Sequence, residues 1–298
     1  MKLALYGKQL DSNSFTVLDD FINLLEKKGV KWAAYKPFWE TTPFQTSSQH
    51  RDPFLFSDYR ELEGFSPDIL LSFGGDGTLL DSLTLVASNG IPVLGINAGR
   101  MGFLSSTSMK NLDKVLGELL NGQYIIEERT LLEFESAEDI FDDVPLALND
   151  FTINKRDTSS MLTIHTYLDG ELLNTYWSDG LIIATPTGST AYSLSCGGPV
   201  IFPNTKSFVI TPVASHNITI RPIIVPDETQ ISFEVEGRGN NFLISLDSRY
   251  AVVDYDLNFS VKKSASKLKF VKLADQHFIN TLREKLMMGV DSRNYHFS

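Results

Sequence analysis

The chain has 298 residues, 42% of them hydrophobic and 21% charged, which is enough apolar material for about two packed domains and rules out a disordered or low-complexity chain. Lys and Arg total 26 against 37 Asp and Glu, a formal net charge of −11; the long-range field therefore repels phosphate and argues against non-specific binding to nucleic acid or an anionic membrane. The single cysteine, Cys196, excludes an internal disulfide or a Cys-rich zinc site, and with no run of ~18 apolar residues the chain reads as cytoplasmic.

The first part alternates strand and helix patterns. Leu3 to Tyr6 is a short apolar run, and Phe15 to Lys28 repeats apolar residues at helical spacing, with Gly29 where a C-cap is expected. Val30 to Tyr35 reads as a second strand. Lys36 to Asp58 is rich in Pro, Thr, Ser and Gln and reads as a long loop. Ile69 to Phe73 is a buried-type strand, Leu79 to Ser88 a helix, Ile91 to Ile96 a strand and Leu112 to Leu120 a helix. This β-α alternation predicts a Rossmann-like parallel sheet with helices on its faces.

The texture changes near Tyr124. From there to Leu273 short runs of Val, Ile, Thr, Phe and Tyr are broken by turn signals, so residues 125–273 are expected to form an all-β sandwich. Asp169-Gly170 between Ile164–Leu168 and Leu172–Trp177 signals a hairpin, and Gly237 to Asn241 between Ile231–Glu236 and Phe242–Leu246 is read the same way. Phe278, Leu282 and Leu286 lie four apart and predict a C-terminal helix. Residues 274–298 are expected to pack back on the α/β domain of residues 1–124 and complete it.

Gly74-Gly75-Asp76-Gly77-Thr78 follows a strand and opens a helix. Glycines there permit positive φ and close approach of a ligand to the backbone, and free helix N–H groups attract an anion. An aspartate in their midst does not suit a phosphate. It suits a proton acceptor for a hydroxyl attacking phosphorus, or a Mg²⁺ ligand. The plainer alternative is a helix N-cap in a tight turn. The chain contains neither a Walker A loop nor the Gly-x-Gly-x-x-Gly fingerprint, and no His-Glu-x-x-His or Cys/His cluster predicts a resident metal site.

Four segments resemble the NAD kinase family: Gly74 to Leu80, Gly95 to Leu104, Ala147 to Asp150, and the long run from Ser178 to Pro199. They stand in family order. The first is shared with lipid kinases, so it is the fourth that gives the resemblance its specificity. The family phosphorylates the 2′-hydroxyl of the adenosine ribose of NAD with ATP and Mg²⁺ or another divalent cation. The resemblance implies that Asp76 is the catalytic base and, with Gly77, contacts NAD. It implies that Gly74, Gly75, Thr78, Arg100 and Phe103 lie beside the phosphates. It implies that NAD is cradled by Asn149, Asp150, Asp179, Thr187, Thr190, Ala191, Tyr192, Ser195 and Ala214. Members are commonly dimers or tetramers, and some use polyphosphate as donor; no nucleic-acid or membrane partner is implied. Two departures stand out: Asp150 replaces the usual Glu, and Arg249 a common Gln. A lipid kinase and a catalytically silent NAD(P)-binding regulator remain the alternatives, separated by Asp76→Asn.

Overall fold

The structure is a computed structural model and describes the chain apart from residues 42–50, 100–101, 142–143, 157–160, 217–218, 275–276 and 289–298. It divides into two units, one of Met1–Glu127 with Lys269–Ser298 and one of Glu128–Leu268.

In the first unit the strands Val93–Asn97, Ile69–Phe73, Lys2–Gly7, Lys31–Tyr35 and Phe54–Phe56 lie side by side in that order, all parallel. Ile69–Phe73 is buried at every position, as expected of a parallel strand covered on both faces. Phe270, near the end of Phe259–Leu273, pairs in parallel with Val93. The helix Ser12–Lys27 begins three residues before its apolar pattern, because Asp11 accepts the N–H groups of Asn13 and Ser14 as N-cap. It buries Leu18, Phe21, Ile22 and Leu25 in a core with Leu3, Leu5, Phe73 and Ile96 from the sheet. The expected helix over Leu79–Ser88 is found as two pieces, Asp76–Asp81 and Leu83–Val86, parted at Ser82, whose hydroxyl turns back to the Leu79 carbonyl at 2.6 Å.

The reading of Lys36 to Asp58 as a loop is corrected at both ends. Lys36–Thr41 is helical and buries Phe38 and Trp39. Phe54–Phe56 adds an edge strand, with Ala33 opposite Phe54. Polar composition masked apolar residues that find partners only in the folded sheet; residues 42–50 lie outside the described ones.

The second unit packs two antiparallel sheets. One contains Glu171–Ser178, Leu162–Leu168, Ile231–Glu236 and the start of Phe259–Leu273. The other runs Ile223–Pro226, Ser207–Val213, Gly180–Ala184, Asp150–Asn154, Asn241–Leu246 and Arg249–Asp254. Alternate residues of both sheets meet in one core, where Phe151, Phe233 and Phe259 lie with ring centroids 5.4–5.9 Å apart, a distance typical of offset aromatic pairs. The Asp169-Gly170 hairpin forms, with φ of 50° and 85° at the two turn residues, the signature of a type I′ turn. The second expected hairpin does not. Ile231–Glu236 pairs with strands of one sheet, Asn241–Leu246 with strands of the other. Gly237 to Asn240 therefore carries the chain between sheets, which local turn chemistry cannot distinguish from a hairpin.

The helix Phe278–Lys285 belongs to the first unit and buries Leu282. The fold thus comprises an α/β unit with a parallel sheet and an all-β sandwich. Among the described residues no helix is long and apolar enough to cross a membrane.

Candidate active site

In the first unit the parallel register sets Gly7, Phe73 and Ile96 level, so the segments that follow them emerge at one edge of the sheet. That is the edge where open α/β sheets bind ligands. Gly74 has φ of +155°, and a Cβ there would lie 2.3 Å from the Thr78 hydroxyl; the turn back over Thr78 needs a glycine. Gly75 caps the helix Asp76–Asp81 without a side chain.

The half-buried Asp76 carboxylate is gripped by the second glycine-rich segment. It accepts N–H groups from Phe103 at 2.7 Å, Leu104 at 3.1 Å and Ser105 at 2.8 Å. The grip depends on Gly102, where a Cβ would sit 1.9 Å from an Asp76 oxygen. Asn97 secures the same loop. Its amide donates to the Ser105 carbonyl at 3.2 Å, and its oxygen accepts the Gly99 N–H at 2.6 Å. Arg100, expected beside the phosphates, lies outside the described residues.

In the second unit Asn149 and Asp150 open the strand Asp150–Asn154 and meet the turn at Thr185. The Thr185 N–H donates to the Asn149 carbonyl at 2.9 Å, and its hydroxyl donates to the Leu148 carbonyl at 2.5 Å. The Gly188 N–H donates to that hydroxyl at 3.1 Å. A Cβ on Gly188 would lie 2.0 Å from the Asn149 carbonyl, so the backbones of two predicted site segments touch only because that residue is glycine. Thr187 and Ala191 flank the short turn of Gly188–Thr190, and Tyr192–Ser195 forms one helical turn. The Tyr192 ring is exposed, and Ser195 is exposed beside it.

Asp150 is 6% exposed. Burial first, and the neighbouring Asp247 second, push its carboxyl up to about 7. Asp247 accepts the N–H groups of Leu148 at 2.8 Å, Asn149 at 2.7 Å and Asp150 at 3.1 Å. Burial raises its carboxyl too, while those three N–H groups and Arg249 work in the opposite direction. Arg249 itself ties the chain, donating to the Val144 carbonyl at 2.5 Å and to Leu146. The hydroxyl of Tyr192 is raised chiefly by burial, with smaller contributions from the charges of Cys196, Asp150 and Asp179. Asp179 is ion-paired with Lys155 at 2.7 Å. Ala214 adopts φ of 47°, a left-handed conformation rare for a residue with a Cβ.

Sequence reasoning missed Asp247, Lys155 and Arg129, whose guanidinium reaches the Thr187 hydroxyl at 3.4 Å. Asp247-Ser248 carried a turn signal between two strand patterns. Nothing local marks Lys155 or Arg129, because their partners arrive from distant strands.

Two family models match the chain: ATP-NAD kinase N-terminal domain over residues 12–124 and ATP-NAD kinase C-terminal domain over residues 148–273. The chain is 44% identical over 295 residues to an NAD kinase of Cytophaga hutchinsonii, covering 99% of this chain and 100% of the relative. It is 41% identical over 296 residues to an NAD kinase of Flavobacterium johnsoniae, with coverage of 99% and 100%. Among solved structures, an Archaeoglobus fulgidus NAD kinase in complex with ATP superimposes with a TM-score of 0.73 at 25% identity, covering 96% of this chain and 99% of that one. A yeast NADH kinase complexed with NADH shares the fold, with a TM-score of 0.86 at 24% identity over 99% of this chain and 90% of that one.

Proposed function

The chain belongs to the NAD kinase family, and from that premise we propose how its own residues phosphorylate NAD. The γ-phosphoryl group of ATP passes to the 2′-hydroxyl of the adenosine ribose, giving NADP and ADP. Asp76 accepts the hydroxyl proton as the new O–P bond forms. One observation carries this assignment: the Asp76 carboxylate is half-buried and fixed by three N–H groups of residues 103–105. A carboxylate offers about four lone-pair positions, so the grip orients the group and leaves one acceptor position free for the substrate.

The backbone of Gly74, Gly75, Gly77 and Thr78, with Arg100 and Phe103, lines the phosphates. Asn149 and Asp150 hold the adenosine half of NAD, and Thr187, Thr190, Ala191, Tyr192 and Ser195 form a strip that cradles the dinucleotide. Asp179, steadied by Lys155, and Ala214 stand at the nicotinamide end. Phosphoryl transfer demands positioning and charge neutralisation more than covalent help, and this set supplies rigid donors and small side chains to that end.

The divalent cation belongs to the ATP–Mg²⁺ co-substrate, and it spreads the charge of the transferred group. Among the described residues no cluster of three His, Cys, Asp or Glu gathers to hold an ion. Polyphosphate is a second candidate donor. We assign the enzyme to the cytoplasm, supported by its lone unbridged thiol. We also assign it to a homodimer or homotetramer, supported by the exposed Tyr250 and Val252 on the edge strand Arg249–Asp254 and checked by light scattering.

The deciding assay supplies ATP, Mg²⁺ and NAD and reads NADP through an NADP-specific dehydrogenase. Wild-type protein is expected to form NADP. Asp76→Asn is expected to bind NAD while turning over about 10²–10⁴-fold more slowly. Normal turnover by that variant would remove Asp76 as base. Absence of NADP from the wild type, with NADH and polyphosphate also tried, would remove the reading itself.

A further inference from the structure

In the second unit Asp179 stands between the strands Glu171–Ser178 and Gly180–Ala184, and Lys155 follows the strand Asp150–Asn154. Their side chains form an ion pair, Lys155 Nζ to Asp179 Oδ1 at 2.7 Å, with 26% and 35% of the two side chains exposed. The backbone holds both residues independently of that pair. The Lys155 N–H donates to the Asp179 carbonyl at 2.9 Å, and the Asp179 N–H donates to the Val213 carbonyl at 3.0 Å. The next residue, Gly180, sits opposite Asn154 on one side and Val213 on the other. It packs so closely that a Cβ there would lie 2.3 Å from the Ile153 carbonyl oxygen. Main-chain bonds alone therefore keep Asp179 in place, and the Lys155 side chain adds a charge beside it.

What that charge changes follows from the chemistry of two acceptors. NAD⁺ and NADH share the adenosine ribose whose hydroxyl is phosphorylated. They differ at the nicotinamide ring, which is cationic in the first and neutral in the second. Discrimination between them is a difference in binding at the nicotinamide end. A bare carboxylate there attracts the cationic ring and is indifferent to the neutral one. A carboxylate paired with an ammonium presents almost no net charge to the ring. The partial burial of both groups limits screening by salt.

We propose that Lys155 is a specificity-determining residue that sets the choice between oxidised and reduced acceptor: it cancels the Asp179 charge and so opens the site to NADH as well as NAD⁺. The inference deepens the kinase reading above and rests on Asp179 standing at the nicotinamide end. Lys155 acts through Asp179 and needs no contact of its own with the dinucleotide.

The test is a competition. Enzyme and ATP–Mg²⁺ are given equimolar NAD⁺ and NADH, and NADP⁺ and NADPH are separated by chromatography at low conversion, so that the product ratio is the ratio of kcat/KM. Lys155→Met is expected to raise NADP⁺ over NADPH by about threefold, the scale of a partly exposed ion pair, and high salt is expected to shrink that shift. Asp179→Asn leaves the ammonium alone and is expected to lower the ratio by a similar factor. The double variant, with both charges gone, is expected to return close to the wild-type ratio. Lys155→Arg keeps the charge and is expected to keep the ratio. A lysine that merely braced the fold would slow both acceptors alike. An unchanged ratio in Lys155→Met, or a shift of the same sign in both single variants, therefore overturns the proposal. If the methionine variant fails to fold, Lys155→Gln carries the same expectation. Absence of both products from the wild type would remove the kinase reading, whereas turnover with an unchanged ratio removes only the role of Lys155.

Discussion

The two units use one device twice, with different consequences. In the first, the Asp76 carboxylate gathers three successive backbone N–H groups from residues 103–105. In the second, the Asp247 carboxylate gathers three from residues 148–150. Each fixes a loop by charge-assisted hydrogen bonds, about twice as strong as neutral ones. The difference is what each cradle holds, for both carboxylates are half-buried. Asp76 opens the helix behind the glycine loop, whereas the N–H groups that Asp247 accepts belong to Leu148, Asn149 and Asp150, two of which are assigned to NAD. The same carboxylate cradle is a reactive group in one unit and a brace for binding residues in the other.

The largest effect should separate reactive group from brace. Asp76→Asn is expected to lower kcat by about 10²–10⁴-fold; it also turns an NH₂ toward the N–H donors of residues 103–105, so its Tm falls as well. Asp247→Asn likewise keeps the shape but leaves an N–H donor unpaired, and is expected to cost about 3 kcal/mol. A Tm drop of several degrees, a raised KM for NAD and a largely retained kcat are the expected readouts. If the two variants lost kcat equally, the distinction between reactive group and brace would be wrong.

Gly102→Ala comes next. The added methyl would sit 1.9 Å from an Asp76 oxygen, so either the carboxylate or the loop must move. A displacement of about 1 Å at a catalytic group can cost about 10²-fold. The variant is expected to lose kcat on that scale while NAD binding, measured by titration, is retained. Unchanged kcat would mean that the grip on Asp76 is incidental to its chemistry.

The comparison also shows what a sequence can reveal. The glycine loop is legible because Gly74, Gly75 and Gly77 bracket an aspartate after a buried strand, and each local feature carries a physical reason. The N–H donors to Asp76 are not legible, since any residue has a backbone N–H and these come from 27–29 positions downstream. Gly188 lies in the run from Ser178 to Pro199 that carries the resemblance, yet its role, a 2.0 Å approach of a Cβ there to the Asn149 carbonyl, exists only once two strands are side by side. Alternation predicted both sheets of the sandwich, but whether Gly237–Asn240 closes a hairpin or changes sheets depends on pairing partners far along the chain. Lys155 gave no signal because its meaning lies entirely in Asp179.

The smallest expected effect tests the brace through its neighbour. Asp150 lies against Asp247 and lacks the N–H donors that Asp247 has, so its carboxyl is pushed from 3.8 to about 7, first by burial and then by that charge. The folded chain therefore holds a proton that the unfolded chain releases near 3.8. This stabilisation is complete below pH 3.8 and fades as pH rises through about 7. Asp150→Asn stays neutral throughout and lacks that slope. The difference in Tm between variant and wild type is expected to move in favour of the variant between pH 5 and about 7.5, by a few degrees at most. A difference that stays flat with pH would show that Asp150 ionises freely in the fold, and that neither its burial nor the Asp247 charge holds its proton.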